Sequence, residues 1–491
     1  MVKILFVFSV EVAKKIETPL ETLDSLHEGI SLISAVLKAN HHQARLLVLG
    51  RNEEIANWRL VDKVVDDFQP KVIAFTAVAT TYPYMAKVAY HIKEKHPDVY
   101  SIIGGPHVSL NPEEAITDGF DAVCIGEGEF PMLELVSQLS RGKIPANIPN
   151  LWIRRGDQIE KNSPRPWLQD LDSLPFSDRD IWLEWLSKKT HIRPTVTLGR
   201  GCPFQCSYCS NHALKKLAAG EYVRFRSPNL IVEEIESLLE RWPNATTVYL
   251  EIENIGLGKG WVQELCTNLR ALNSKRNTPV AFGCNLRITP TLKAEELFAL
   301  FQESNITFVQ IGLESGSERV RNEILRRRYS NEKVIQTVEI ARKYGIQVIL
   351  FNLIGVPGET YEDYLETVRI NRICQPDAHF TSIYYPYPGT DLYEKCKREG
   401  LLNSEIADSA KERRVAILDL PGFSKKQIQK AYTWFEYNVY KGKKPLPKIL
   451  LDVVFEKVPF LKTTHSIIYD GAYYGLRRVP FLRGLKKRFW D

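Results

Sequence analysis

Gly201-Cys202-Pro203-Phe204-Gln205-Cys206-Ser207-Tyr208-Cys209 sets three thiols four and then three residues apart on one short loop. Each cysteine can turn inward while the residues between them pass outside, so one inorganic centre can sit among the sulfurs. An electron-transfer [4Fe–4S] cluster takes four cysteines, one per iron, and three from the protein leave one iron open to another ligand. The spacing suits a cluster that binds a substrate. Structural zinc is the competing reading, because Cys202, Cys206, Cys209 and His212 would make a Cys3His set.

Other residues able to do chemistry stand at the ends of apolar runs. Glu251 and Glu253 alternate onto one face of an extended stretch, where a barrel interior would want Val or Ile. Buried carboxylates need a cationic partner, and a salt bridge internal to the barrel is the plain alternative. Further along come Cys284-Asn285-Leu286-Arg287, Gly312-Leu313-Glu314-Ser315-Gly316-Ser317, Ile354-Gly355-Val356-Pro357-Gly358-Glu359-Thr360 and Tyr384-Tyr385-Pro386-Tyr387-Pro388-Gly389-Thr390-Asp391. Earlier runs end in Thr76-Ala77-Val78-Ala79, Gly104-Gly105-Pro106-His107 and Gly126-Glu127-Gly128-Glu129. Gly104 and Gly105 let backbone approach a ligand, and bare N–H groups suit phosphate or amide oxygens, although a structural turn explains such a pair as well.

Elements that position these residues follow from hydrophobic periodicity. In residues 1–140, candidate strands Lys3–Phe8, Ala44–Leu49, Val72–Thr76, Tyr100–Gly104 and Ala122–Ile125 alternate with helical patterns at Ile30–Lys38, Trp58–Asp67, Met85–Lys95 and Pro131–Leu139. That order predicts a doubly wound, Rossmann-like parallel sheet with ligands at the carboxyl ends of its strands. Residues 141–190 read as a linker with a hairpin near Leu151–Glu160. From 191 to 400, six strands, Thr195–Leu198, Thr247–Glu251, Val280–Cys284, Phe308–Gly312, Gln347–Ile354 and His379–Tyr385, each precede a helical pattern, which predicts a partial (β/α)6 barrel with the cysteine loop at its carboxyl end. Residues 401–491 are expected to be a helical extension, with helical spacing at Lys425–Tyr440 and Leu446–Val458.

Composition sets the class. A chain of 491 residues that is 44% hydrophobic and 25% charged is expected to form about two or three globular domains. The opening Met1–Phe8 reads as a buried strand and not a signal peptide, and no segment has the ~18 apolar residues of a membrane span, so the expected location is cytoplasmic. Eight cysteines in such a length are not a disulfide framework, and the five outside the loop read as small core residues. Charge is uneven: Lys441–Asp491 carries twelve Lys or Arg against four Asp or Glu, while the chain as a whole is only +6. A solvated basic face, with Trp434, Tyr437, Tyr473, Tyr474, Phe481 and Trp490 interleaved, is the plain reading; the sharper one is peripheral contact with anionic lipid or a phosphorylated substrate.

Taken together, the motifs resemble those of the radical S-adenosylmethionine (SAM) superfamily, in the class with an N-terminal cobalamin-binding domain, over residues 1–400. The resemblance implies a [4Fe–4S] cluster on Cys202, Cys206 and Cys209 that splits SAM to a 5′-deoxyadenosyl radical. It also implies SAM contacts from Tyr208 beside the adenosine, Glu253 (Glu251 in reserve) at the amino group, Arg287 at the carboxylate, Glu314 and Ser315 at the ribose, Gly355 making room for adenine, and Glu359. Cobalamin would rest on Thr76, Ala77, Gly104, Gly105, Pro106, His107, Gly126, Glu127 and Gly128. The family's Asp-x-His-x-x-Gly is missing: Asp24-Ser25-Leu26-His27-Glu28-Gly29 has the wrong spacing, so His27 is expected at the surface or at a helix start and cobalamin base-off. The implied activity is methylation of an unactivated carbon, with oxidation, cyclisation or carbon–carbon coupling as the alternative and a non-enzymatic zinc or iron–sulfur module as the other class. Implied partners are a small-molecule or lipid-like substrate and an electron donor such as flavodoxin or ferredoxin, with no nucleic acid.

Overall fold

The computed structural model describes residues 1–11, 19–22, 26–52, 54–191, 193–402 and 412–457. Two sheets organise it. In the first, β1 (Lys3–Val10), β2 (Gln43–Gly50), β3 (Val72–Thr76), β4 (Tyr100–Gly104) and β5 (Ala122–Cys124) are parallel in the order β2-β1-β3-β4-β5. Ile4, Leu5, Val7, Leu47, Ile73 and Ile103 are buried completely, because helices cover both faces and each strand must be apolar on both. Chain direction across the sheet reverses between β1 and β3, which opens a crevice at their carboxyl ends. The hairpin β6 (Leu151–Arg155) and β7 (Gln158–Lys161) adds antiparallel to β5, so this sheet runs past residue 140.

The second sheet is β8 (Thr195–Thr197), β9 (Thr247–Glu251), β10 (Ala281–Leu286), β11 (Ile306–Glu314), β12 (Gln347–Ile354) and β13 (Ala378–Ile383). Its strands are all parallel and neighbours in chain order, with β8 and β13 at the two edges. This is the mixed α/β architecture expected, with strand limits moved by at most two residues. Its wall packs against the flanking helices through Val248, Leu250, Phe282, Val309, Val348 and Phe298.

Between the sheets, residues 171–186 fold back on the first domain. Trp182 donates its indole N–H to Ser31 Oγ (2.8 Å) and Trp185 to the Leu46 carbonyl (2.9 Å), giving both buried indoles a partner. After the barrel, the expected helix Lys425–Tyr440 divides at Trp434 into Lys425–Thr433 and Phe435–Tyr440. Ile428, Phe435 and Ile449 join Ile354, Ile383 and Tyr384 in one core beside the last strands. No helix of the described residues is long and apolar enough to cross a membrane. Tyr473, Tyr474, Phe481 and Trp490, with most of the basic tail, lie outside the described residues.

Candidate functional site

The cysteine loop leaves β8 through a short antiparallel ladder, Gly199–Arg200 against Arg224–Phe225. At Gly201 the backbone turns at φ +86°, and an added Cβ would stand 1.9 Å from the Tyr222 carbonyl oxygen, so only glycine fits. Ser207 pins the far side of the loop: its hydroxyl donates to the Ile324 carbonyl (2.5 Å) and its carbonyl accepts from Leu392 N–H (2.9 Å). Arg287 Nη1 donates to Cys206 Sγ at 2.8 Å while its guanidinium lies 3.8 Å above the Phe204 ring, a counter-charge suited to thiolate ligands. Asn254, which sequence reasoning passed over, holds Arg287 by accepting from its backbone N–H (2.9 Å).

The zinc alternative fits poorly. His212 turns its Nε2 toward Asp391 (3.6 Å). Three thiols on one loop beside a fixed cation fit the larger cluster, whose irons each take one cysteine.

Around this loop the barrel ends sort the other candidates. Glu314 ends β11 at φ +60° beside a register shift, and its Oε1 is 3.1 Å from Arg327 Nη1. The same guanidinium donates to the Tyr208 hydroxyl (3.1 Å), so Tyr208, Arg327 and Glu314 form one chain. Its only signal in sequence is the run Arg326-Arg327-Arg328 after an apolar strand. Ser315, expected toward a ribose, is fully buried in the wall, where its Oγ accepts from Ser317 N–H (3.2 Å); Arg321, also fully buried, donates to the Ser315 carbonyl (2.6 Å). Gly355, expected to make room for adenine, lies against Ile428, whose Cγ2 would be 3.0 Å from an added Cβ. Glu359 accepts from Gly355 and Val356 N–H with one oxygen and leaves Oε1 buried without a partner. Burial pushes this carboxyl up to about 8 against the opposing pull of those two N–H bonds.

A cavity of about 500 Å³ joins the two domains. From the first sheet come Thr76, Gly104, Gly105, Pro106, Gly126, Glu127 and Gly128; from the barrel come Thr197, Gly199, Arg200, Glu251 and Glu253. At Gly104 an added Cβ would meet only Cys124 within 4 Å, so the backbone there is open, as a flat planar ligand requires. Two expected residues lie elsewhere. Ala77 is buried beneath Gly105, and the His107 ring turns inward against Tyr82 (4.6 Å) with Nε2 3.1 Å from Glu114, because the short helix opened by Pro106 carries it away from the cavity. Glu127 faces the barrel: Oε1 lies 2.8 Å from Arg200 Nη1 and 2.9 Å from Arg224 Nη1. Burial would raise this carboxyl, but the two guanidinium groups hold it below the usual carboxylate range.

His27 does start a helix, capping Glu28–Ala39 by accepting from Ile30 N–H (3.3 Å), yet it lines the cavity and is not at the surface. Its other nitrogen is 3.4 Å from Thr76 Oγ1, and burial pushes its pKa down to about 4. Both ring nitrogens are thus engaged by protein. Glu251 opens onto the same cavity and onto an adjoining polar chamber of about 380 Å³ lined by Tyr249, Asn285 and Gln310. Burial, then Glu253 and Glu28, push its carboxyl up to about 7.

Comparison with known proteins agrees with this geometry. The radical SAM superfamily profile matches residues 196–370, and the B12 binding domain profile matches residues 23–136. An uncharacterized methyltransferase of Pyrococcus horikoshii, PH0819, is 26% identical over 461 residues, covering 92% of this chain and 94% of that one. Anaerobic magnesium-protoporphyrin IX monomethyl ester cyclase of Rubrivivax gelatinosus is 25% identical over 379 residues, 74% of this chain and 65% of the cyclase. In fold, the chain is similar to the radical SAM methyltransferase TsrM of Kitasatospora setae, solved with cobalamin and a [4Fe–4S] cluster bound, at a TM-score of 0.64 and 15% identity over 81% of this chain and 78% of TsrM. The cysteine loop at the carboxyl end of a six-stranded parallel sheet, the interdomain cavity and these matches converge: the chain carries a radical SAM superfamily domain over residues 196–370 behind a B12-binding domain over residues 23–136.

Proposed function

We propose that the protein is a cobalamin-dependent radical SAM methyltransferase acting on an unactivated carbon of a small-molecule substrate. The observation that carries this reading is the shared cavity: glycine-containing turns of the first sheet and strand ends of the barrel line one space, whose wall at Arg200 is two residues from Cys202. Chemistry that draws on both cofactors at one carbon needs them to face a common chamber, since reacting atoms must come within about 3–3.5 Å. When bound, the cluster and SAM supply hydrogen-atom abstraction and the corrinoid supplies a transferable methyl group.

In this reading Cys202, Cys206 and Cys209 hold the cluster, Glu253 and Arg287 take the amino and carboxylate ends of SAM, and Glu314 accepts from the ribose hydroxyls. Arg327 and Tyr208 fix Glu314, while Glu359 shapes the Gly355–Val356 turn. Thr76, Gly104, Gly105, Pro106, Gly126 and Gly128 would cradle cobalamin, bound base-off in this reading and with no histidine supplied by His27, whose two ring nitrogens are spent within the protein. No side chain serves as general base. An electron donor such as flavodoxin or ferredoxin and a reducing cytosol complete the reading, and all eight cysteines are free thiols. Contact of the basic tail with lipid belongs to residues outside those described.

The test is anaerobic reconstitution followed by analysis for iron, sulfide and cobalt, then turnover with SAM labelled in its methyl group. Formation of both 5′-deoxyadenosine and S-adenosylhomocysteine, with label in the product, is expected. The similarity to a cyclase supports a second reading, oxidation, cyclisation or coupling without methyl transfer. In that case label stays out of the product and S-adenosylhomocysteine is not formed.

A further inference from the structure

Arg200 occupies an unusual place. It stands two residues before Cys202, yet its guanidinium leaves the barrel and ends on the first sheet's Gly126–Glu129 turn. Nη1 donates to Glu127 Oε1 (2.8 Å) and Nη2 to Glu129 Oε1 (2.5 Å), the latter on the first residue of helix Glu129–Ser140. Across the two-residue ladder, Arg224 donates to both Glu127 oxygens (2.9 and 3.1 Å) and to the Leu168 carbonyl (2.9 Å), while Leu168 N–H donates to Glu127 Oε2 (3.0 Å). Arg224 and Glu129 are 5% and 4% exposed and Arg200 and Glu127 are partly buried, so water competes little for these bonds, and charge-assisted bonds hold geometry firmly there. The turn they grip also forms the cavity wall through Gly126 and Gly128.

We infer that Arg200 is a positioning residue: through Glu127 and Glu129 it ties the cluster loop to the wall of the corrinoid cavity, so that filling the cavity orders the loop. The inference rests on the proposed corrinoid site, and its mechanism is local. A ligand pressing on Gly126 and Gly128 limits the motion of the turn; the turn limits Arg200; and Arg200 is joined to Cys202 by Gly201 alone, whose backbone is already confined by Tyr222. A substrate is not needed for this effect, which separates it from catalysis.

Hydrogen exchange of residues 199–209 in cluster-reconstituted protein, with and without saturating hydroxocobalamin, tests it. In the wild type, hydroxocobalamin should slow exchange of the segment about tenfold, because opening the loop must then either break its existing charge-assisted bonds to Glu127 and Glu129 or move a turn held by the ligand. In Arg200→Met, and more weakly in Glu129→Gln, the protection should shrink toward none although cobalt is still taken up. If Arg200→Met does not fold, Glu129→Gln, which leaves the Arg200–Glu127 bond in place, carries the same comparison. Equal protection in wild type and variants overturns the inference, as does cobalamin uptake by the wild type with no protection of the loop. Wild-type protein that takes up no cobalamin at all would instead overturn the proposed function.

Discussion

Glu314 and Arg327 form a closed pair at the end of the fourth barrel strand, Oε1 to Nη1 at 3.1 Å, over a glycine that the pair itself makes necessary. A Cβ on Gly312 would stand 2.4 Å from Glu314 Oε1 and 2.8 Å from Arg327 Nη2. Both side chains are largely buried, so neither charge has water to replace its partner. Arg327→Met therefore leaves a buried carboxylate unpaired and should lower stability by about 3 kcal/mol in urea unfolding. Arg327→Lys keeps the charge and loses the fork geometry, so its loss should be smaller, about 1 kcal/mol. Equal losses for the two variants would show that charge is not what Arg327 contributes.

Gly201 makes a prediction of a steric kind. With φ at +86° and the Tyr222 carbonyl 1.9 Å from where a Cβ would lie, Gly201→Ala must displace the ladder that launches the cysteine loop. The strain and the clash together should cost about 3 kcal/mol or more locally. Iron and sulfide per chain after reconstitution should drop sharply while far-ultraviolet circular dichroism holds. Full iron loading in Gly201→Ala would refute this account of the loop.

Replacing Cys202, Cys206 or Cys209 singly by Ala should abolish 5′-deoxyadenosine formation from SAM and dithionite. The melting temperature of the cluster-free protein should hardly change, because none of the three is a large core side chain. Cys266→Ala, a small core residue on a barrel helix, should do the reverse: slightly lower stability with SAM cleavage retained. SAM cleavage surviving in any of the first three variants would remove the cluster assignment.

Glu359 gives a pH signature. Its folded pKa is raised from 4.5 to about 8, so the protonated carboxyl is the stable buried form. Below pH 4.5 folded and unfolded states both keep the proton, and the full stability is present. Between pH 4.5 and 8 the unfolded chain alone releases it, so stability falls as pH rises, by an upper figure of about 4 kcal/mol between pH 5 and 8 for this group. Glu359→Gln should flatten that slope in thermal melts of the cluster-free protein. A variant whose slope matches the wild type would place the titration elsewhere.

Much of the architecture can be read from residues near one another in the chain. Continuous apolar runs such as Lys3–Phe8 and Val72–Thr76 mark strands buried on both faces, and each alternation with a helical pattern implies a parallel neighbour. The six repeats after residue 191 imply a barrel wall, and the glycine before Cys202 marks a turn at its carboxyl end, because backbone sterics act locally. Those features depend on periodicities of two and 3.6 residues, which survive whatever the chain later packs against.

Partner choice across the domain boundary is a different matter. Nothing local in Glu127 says that its carboxylate meets Arg200 and Arg224 instead of a ligand; that follows only when two domains dock and a buried charge must find the nearest opposite one. The same docking puts His27 and Glu28 in the wall of the interdomain cavity, where the spacing around His27 suggested an outlying position. Ser315 is held in the wall because Ser317 N–H takes its hydroxyl and Arg321 its carbonyl, and Ile428, more than 70 residues away in the chain, takes the space over Gly355. Sequence alone thus determined which segments are strands, which loop can hold iron and which turns can meet a ligand. Tertiary structure decided which of those side chains face the shared cavity and which are spent holding the two domains together, since that depends on which opposite charge or apolar face arrives from elsewhere in the chain.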